Sequence, residues 1–277
     1  MVLGIWSLGF GGEAVARSQG WIDMWNNAAF YTTNTERSNF NGFLVRSEGR
    51  FGLQMVSLGE DAGISPYVVY LLTWSQDDNY WNNYAAGGGG IRIDPFGNYK
   101  GEQWYNEWVK DVRLYVEVLG ASFLKDQASA EAAGTKTHDL RYGLELYHEW
   151  NQDNPDFKRP WSEVWANLSF RDTNFYFEDF NSYILSYQQL FGIYFGGVKP
   201  YIRLDFTTSG KDYSWLNSLV FGPGLRFEPF RFSEDRNPWI NKFKMFVEYL
   251  TVSWLKQSDG RPSQDLRFGV DLRIYIN

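Results

Sequence analysis

The sequence contains no cysteine, and only two of its 277 residues are histidines. Disulfide bonds and thiolate metal sites are therefore excluded. The formal net charge of -7 at pH 7 is the wrong sign for a nucleic-acid partner, which needs clustered Lys and Arg. We expect no metal ion, no cofactor and no nucleic acid.

The chain also lacks any run near the roughly 20 apolar residues that a membrane-spanning helix needs. A transmembrane β-strand needs only about 9–11 residues, and half of them can be polar. The mean hydropathy of -0.42 suits a soluble protein and a membrane barrel equally. Aromatic residues, by contrast, are abundant at 19% of the chain. A membrane-spanning element must therefore be sought among alternating strands.

The last segment, 265–277, alternates apolar and polar residues without interruption. Leu266 and Phe268 open its apolar face, and Arg267 lies between them on the polar face. A period of two over this length predicts a long strand with one apolar and one polar side. The segment 139–151 repeats the same pattern nearly position by position.

Matched residues continue through the chain in a constant order, which predicts a tandem duplication of a six-strand unit. The first copy spans 21–151 and the second 161–277, and residues 1–20 are predicted to be an ordered N-terminal segment rather than a signal peptide. The Ala-rich piece 127–134 is too short to predict a helix. The predicted strands are 21–33, 41–56, 66–75, 83–95, 110–124, 139–150, 161–173, 181–196, 200–208, 216–229, 242–256 and 265–276.

About twelve antiparallel strands in an open sheet would leave two unprotected edges, and closure removes them. The sequence therefore predicts an all-β, antiparallel transmembrane β-barrel, with a soluble two-sheet protein as the alternative. Aromatic residues near the predicted strand ends favour the membrane, because such residues form girdles at both interfaces. They are Trp74, Tyr80, Trp81, Phe96, Trp104, Trp108, Trp150, Trp161, Trp215, Phe230 and Trp239.

Several tracts of the first copy resemble bacterial outer-membrane barrels, in particular the C-terminal barrels of phage-adsorption and exopolysaccharide-export proteins. The tracts are 80–83, 88–92, 95–96, 112–117 and 124–125. They include a Gly-x-Gly-x-Arg-x-x-Pro strand followed by a strand with an inward Glu. The resemblance implies the outer membrane of a bacterium, with membrane lipid and lipopolysaccharide as surroundings and periplasmic or surface proteins as possible partners.

Charged residues recur on the polar face of nearly every predicted strand, and in a membrane barrel this face lines the lumen. We expect them to form a selectivity or closure network of ion pairs. The predicted lumen residues are Arg46, Glu48, Arg50, Arg92, Asp94, Arg113, Glu117, Arg141, Glu145, Arg203, Asp205, Arg226, Glu228, Lys244, Glu248, Arg267, Asp271 and Arg273.

Other motifs have structural explanations. The run 87–90 is followed by a strand rather than a helix, so it is not a phosphate loop. His148 belongs to the apolar face near a girdle and His138 to a loop, so neither predicts catalysis. An acid–base pair among Asp94, Glu117 and Glu145 is the alternative to a salt-bridge network.

The sequence thus predicts a small channel, or the outer-membrane part of an export or surface assembly, possibly for polysaccharide. The alternative is a structural or anchoring barrel with a plugged lumen that holds partner proteins. We expect no enzymatic activity.

Overall fold

The computed structural model describes residues 19–32, 41–57, 62–96, 111–151, 160–176, 179–195, 197–230, 242–256 and 263–276. Residues 1–18 of the predicted N-terminal segment lie outside these ranges, as do Trp104, Trp108 and Trp239 of the predicted girdles. Gln19 and Gly20 belong to the first strand.

Long strands dominate the described chain, and their bounds lie within about three residues of the predicted ones. They are β1 Gln19–Tyr31, β2 Gly42–Gln54, β3 Val56–Ser57, β4 Gly63–Ser75, β5 Tyr84–Asp94, β6 Val112–Phe123, β7 His138–Trp150, β8 Pro160–Arg171, β9 Ser182–Ile193, β10 Val198–Ser209, β11 Ser218–Phe227, β12 Phe243–Trp254 and β13 Gln264–Ile276.

Each long strand pairs antiparallel with its neighbours in sequence, and β1 pairs with both β2 and β13. The short β3 pairs with the start of β4, and β2 pairs with β4 along its length. The sheet is therefore a closed antiparallel barrel of 12 long strands, which confirms the predicted fold class. One end, the termini end, holds the start of β1 and the end of β13.

At the opposite end, the helical end, the turns within the described ranges carry three short helices. They are the 3-10 helices Tyr80–Asn82 and Ser214–Leu216 and the α-helix α1, Gln127–Ala132. The sequence did not predict α1, because six residues are too few for a periodic signal. None of the helices in the described ranges is long and apolar enough to cross a membrane.

The two faces of the barrel wall reverse the arrangement of a soluble protein. Outward-facing Val68, Val118 and Ile202 are 60%, 58% and 54% exposed, whereas inward-facing Glu117 and Glu248 are each only 2% exposed. An apolar outer wall around a charged interior is the arrangement of a transmembrane barrel, whose outer wall faces lipid. The soluble two-sheet alternative is therefore wrong.

The halves repeat the same local contacts at matched positions. At the helical end, Asn83 Nδ2 donates to the Asp77 carbonyl at 2.9 Å, and the matched Asn217 Nδ2 donates to the Lys211 carbonyl at 2.8 Å. Both asparagines are 0% exposed. An origin by tandem duplication stays a prediction, but the repeated contacts place matched residues at matched heights.

Lysines close the same two turns. Lys125 Nζ donates to the Asp77 carbonyl at 3.0 Å, and Lys256 Nζ donates to the Lys211 carbonyl at 2.8 Å. The hydrogen bond from Lys256, 2.9 Å from Asp212, and its positive charge lower the pKa of the Asp212 carboxyl. The turns around the helical end are thus fixed by buried amides and by ammonium groups.

A closed barrel of this kind should be heat-modifiable, which means that its mobility on a gel changes after boiling. Closed barrels resist unfolding in detergent because every long strand has two partners. Purified protein in detergent is expected to run at different positions on a gel before and after boiling. A single position for both samples, or a monodisperse protein without detergent, would contradict the membrane barrel.

Candidate functional site: the barrel lumen

The lumen is the candidate functional site, because the predicted lumen residues lie on the inner face of the barrel wall, with Glu228 directly after the end of β11. They are buried or half-buried, and many of them contact one another. Ion pairs at 4.0 Å or less join Arg50, Arg92, Arg113, Arg141, Arg203, Arg226, Lys244, Arg267 and Arg273 to carboxylates. Arg46 lines the wider part of the lumen described below.

Glu117 of β6 is the centre of the network in the first half. It accepts a hydrogen bond from the Tyr67 hydroxyl at 3.0 Å, and Arg50 Nε lies 3.6 Å from its carboxylate. Arg50 of β2 also contacts Glu48 at 2.9 Å and Glu145 of β7 at 3.1 Å. Because β2 and β7 are four places apart in the strand order, Arg50 reaches across the bore rather than along the wall.

Glu248 of β12 has the same role in the second half. It accepts from the Tyr201 hydroxyl at 2.6 Å and from Arg203 Nη1 at 3.0 and 3.1 Å. Arg203 also contacts Asp205 at 2.7 Å. A buried carboxylate with a phenol and a guanidinium as donors is satisfied without water.

The two halves supply this guanidinium from different strands. Arg50 lies opposite Val69 in the β2–β4 register, whereas Leu190 lies opposite Arg203 in the matched β9–β10 register. The cation and its apolar neighbour have thus exchanged places across the strand pair. The charge on the central Glu is therefore balanced in both halves, although neither Arg is matched in the other copy's sequence.

A second layer of ion pairs lies nearer the termini end. Asp23 of β1 contacts Arg113 at 3.1 Å. The matched Glu163 of β8 contacts Arg226 at 3.1 Å and Lys244 at 3.3 Å. These two carboxylates were missed by the sequence analysis. The available signal was their shared position two residues after a matched tryptophan, on the same face of the strand.

Aromatic side chains also project into the bore at that level. Trp21 packs on Tyr67 with ring centroids 5.8 Å apart, and the matched Trp161 and Tyr201 repeat this distance. Trp161 is 0% exposed, so its placement in an interfacial girdle was wrong. The reason is that its strand parity directs it inward, where Arg226 lies 5.1 Å from its ring centroid.

One contact spans the full diameter. Arg273 of β13 lies 3.3 Å from the ring centroid of Tyr147 on β7, six places away in the strand order. A cation over an aromatic face is attracted to the ring. The middle and the termini end of the lumen are therefore crossed by side chains from opposite walls.

The helical end is wider and holds a cavity of about 710 Å³, which we name the vestibule. Its lining is aromatic, amide-bearing and hydroxyl-bearing, with three arginines and one carboxylate. The charged lining residues are Arg46, Glu48, Arg141 and Arg171. Tyr80, Trp81 and Trp215 also line the vestibule, and so the assignment of these three to an outer girdle was wrong.

The histidines lie away from the lumen centre. His148 is on the outer face, where its Nδ1 is 2.5 Å from an Asp111 carboxylate oxygen and its ring packs edge-on against Trp150. His138 is the first residue of β7, so the prediction that it belongs to a loop was wrong. In the described part of the chain, no group of three or more His, Cys, Asp or Glu could hold a metal ion.

Comparisons with solved structures find other outer-membrane barrels. The chain is similar to the β-domain of the Bordetella autotransporter BrkA, at 12% identity and a TM-score of 0.39, over 92% of this chain and 98% of that one. An outer membrane channel from Pseudomonas putida F1 matches at 10% identity and a TM-score of 0.38, over 98% and 100% of the two chains.

The channel DcaP of Acinetobacter baumannii matches at 10% identity and a TM-score of 0.35, over 97% and 99% of the two chains. No family model and no curated protein matches the sequence. The assignment to transmembrane barrels therefore depends on the strand pairing and the two faces of this chain itself.

Proposed function

We propose that the protein is a channel of the bacterial outer membrane that passes ions or small solutes and is constricted by ion pairs. The observation that carries this proposal is the inner face, where charges of both signs line the barrel from the vestibule to the termini end. Charged rings along a pore set which ions pass. Lipopolysaccharide would surround the outer wall, and periplasmic or surface proteins could act as partners that open the bore.

The lumen width supports small solutes. About eight strands give an interior that side chains fill, and about sixteen leave an aqueous channel. A barrel of 12 strands lies between these limits, so the side chains decide what passes. With Arg50 and Arg273 reaching across the bore, the resting opening suits ions rather than polymers. Export of a polysaccharide would require the layer of Glu117 and Glu248 to open, and it rests on the sequence resemblance alone.

A second candidate is an anchoring barrel with a plugged lumen. The complete burial of Trp161 and the 2% exposure of Lys199, which pairs with Glu228 at 2.8 Å, favour it. We propose no enzymatic activity for either candidate, because the charged groups of the lumen form ion pairs with one another.

One measurement, conductance in a planar bilayer, distinguishes the two candidates. Purified protein in a planar lipid bilayer is expected to give discrete openings of low conductance, because the ion pairs narrow but do not replace the polar bore. Discrete openings would contradict the plugged barrel. A silent bilayer, with protein shown to be inserted and heat-modifiable, would overturn the channel and favour the anchor.

A further inference from the structure

The vestibule contains two neighbouring cations on adjacent strands. Arg141 of β7 and Arg171 of β8 are directly opposite in the strand register. Like charges at such positions destabilise a sheet. Arg141 has carboxylates, Asp139 at 2.5 Å and Glu117 at 3.9 Å. Within the described ranges, the hydrogen bonds of Arg171 go to neutral oxygens, from Nε to Ser169 Oγ at 3.1 Å and from Nη1 to Asn174 Oδ1 at 2.7 Å.

The second half of the barrel avoids this arrangement. The residue matched to Arg141 is Arg267, and its register partner is Tyr31, which matches Arg171. The Arg267 guanidinium lies 5.1 Å from the Tyr31 ring centroid. An aromatic ring relieves the cation there, whereas the first half places a second cation at the same position. The other half of the barrel therefore has no cation at the position matched to Arg171.

The turn that follows Arg171 is strained. Asn174 and Phe175 have φ angles of 50° and 52°, a region that non-glycine residues rarely occupy. The Asp139 carboxylate fixes this turn by accepting the Thr173 and Asn174 N–H groups, each at 3.0 Å. The same turn directs the Asn174 Oδ1 to Arg171 at 2.7 Å. Strain that the surroundings maintain is concentrated at ligand sites.

The remaining lining offers two kinds of contact. Flat aromatic faces come from Trp25, Trp81, Phe175 and Trp215. Amides and hydroxyls that can bind a ligand's hydroxyl groups come from Thr73, Asn79, Asn82, Thr135, Ser186 and Thr207. Guanidinium groups bind carboxylates through paired N–H donors. A ligand with a carboxylate on a hydroxyl-bearing ring would use all three groups: the guanidinium, the amides and hydroxyls, and the aromatic faces.

We infer that the vestibule binds acidic sugars, with the carboxylate on Arg171 and the sugar ring between the aromatic side chains and the amides. This inference rests on the proposed channel function, since the site would then select solutes at one mouth of the pore. It concerns binding, however, and is measured without conduction.

The test uses the purified full chain in detergent and three probes: glucuronate, glucose and acetate. Ligand-observed NMR titration is expected to show saturable binding of glucuronate, weakened by salt, with glucose and acetate at least roughly tenfold weaker. Loss of a charge-assisted hydrogen bond typically lowers affinity by roughly tenfold or more. Arg171→Gln should therefore lose at least about tenfold in glucuronate affinity, and Arg171→Lys should retain part of it.

Arg267→Gln is the matched control, because it removes a cation from the equivalent place in the other half, outside the vestibule lining. Its affinity should stay within about twofold of the wild type. Equal binding of glucuronate and glucose, equal binding of glucuronate and acetate, or an unchanged Arg171→Gln would overturn the acidic-sugar site. If glucuronate binds but the bilayer stays silent, the acidic-sugar site stands and the channel is rejected. If the protein conducts but glucuronate does not bind, the channel stands and the acidic-sugar site is rejected.

Discussion

Replacing Gly88 with alanine is expected to prevent the barrel from closing normally. Gly88 faces the lumen in the middle of β5, where a Cβ would lie 1.9 Å from the backbone oxygen of Val118 on β6. A backbone carbonyl in a paired strand cannot rotate aside as a side chain can. Overpacking usually costs about 1–3 kcal/mol, and a clash with backbone is expected at or above the top of that range.

Gly87 provides the matched control. It is the neighbouring residue on the lipid face, and the nearest atom to its Cβ would be the Val69 oxygen at 3.8 Å, an ordinary contact. Gly87→Ala should fold like the wild type, as measured by the heat-modifiable fraction on a gel and by the urea midpoint after refolding in detergent. Equal folding of Gly88→Ala and Gly87→Ala would show that the strand pair does not approach as closely as described.

The same experiment extends to the second half. Gly222 is matched to Gly88, and its Cβ would lie 2.0 Å from the Tyr249 backbone oxygen. Gly222→Ala should therefore fail to a similar degree. Similar losses at these two positions would support the view that the halves are two copies of one structural unit.

The strands and their faces could be predicted from the sequence because they depend on local alternation. A period of two over a dozen residues fixes the direction of every side chain once one face is known to be apolar. The closed barrel followed from strand number and the need to remove edges. The strand ends differed from the prediction by only a few residues for the same reason.

The partners inside the lumen could not be predicted, because they depend on how the barrel closes. That Arg50 of β2 contacts Glu145 of β7 is a consequence of bore width and strand stagger, which no local pattern contains. Asp23 and Glu163 were not predicted as lumen residues, although they occupy matched positions two residues after Trp21 and Trp161. Trp161 was assigned to the outer wall by its place near a strand end, when its parity indicated the lumen.

The vestibule shows another limit of sequence reasoning. Arg171 belongs to no recognisable sequence motif. It differs from its surroundings only because it pairs with Arg141 of β7 and because the matched position in the other copy holds Tyr31. These facts require the register of two strand pairs. Differences between the halves, rather than their similarities, thus locate the candidate binding site.

Removing both central carboxylates should open the bore and favour anions. Glu117 and Glu248 are each 2% exposed, and each holds a tyrosine and an arginine over the lumen. In Glu117→Ala/Glu248→Ala, Arg50 and Arg203 lose a negative partner and the smaller side chains leave space. Single-channel conductance should rise severalfold, and the reversal potential in a salt gradient should shift toward anion preference.

The double substitution also carries a folding cost, since breaking a buried ion pair by removing one partner typically costs about 3–5 kcal/mol. Glu117→Gln/Glu248→Gln separates charge from folding, because the amide oxygens still accept the tyrosine hydrogen bonds and the volume is kept. It should shift selectivity toward anions with a smaller rise in conductance. Val116→Ala/Val247→Ala is the matched control on the lipid face of the same two strands, where Val116 and Val247 are 50% and 49% exposed, and it should change neither quantity. If the Ala and Gln double variants are both heat-modifiable and conduct with wild-type size and selectivity, the ion-pair constriction at this level is wrong.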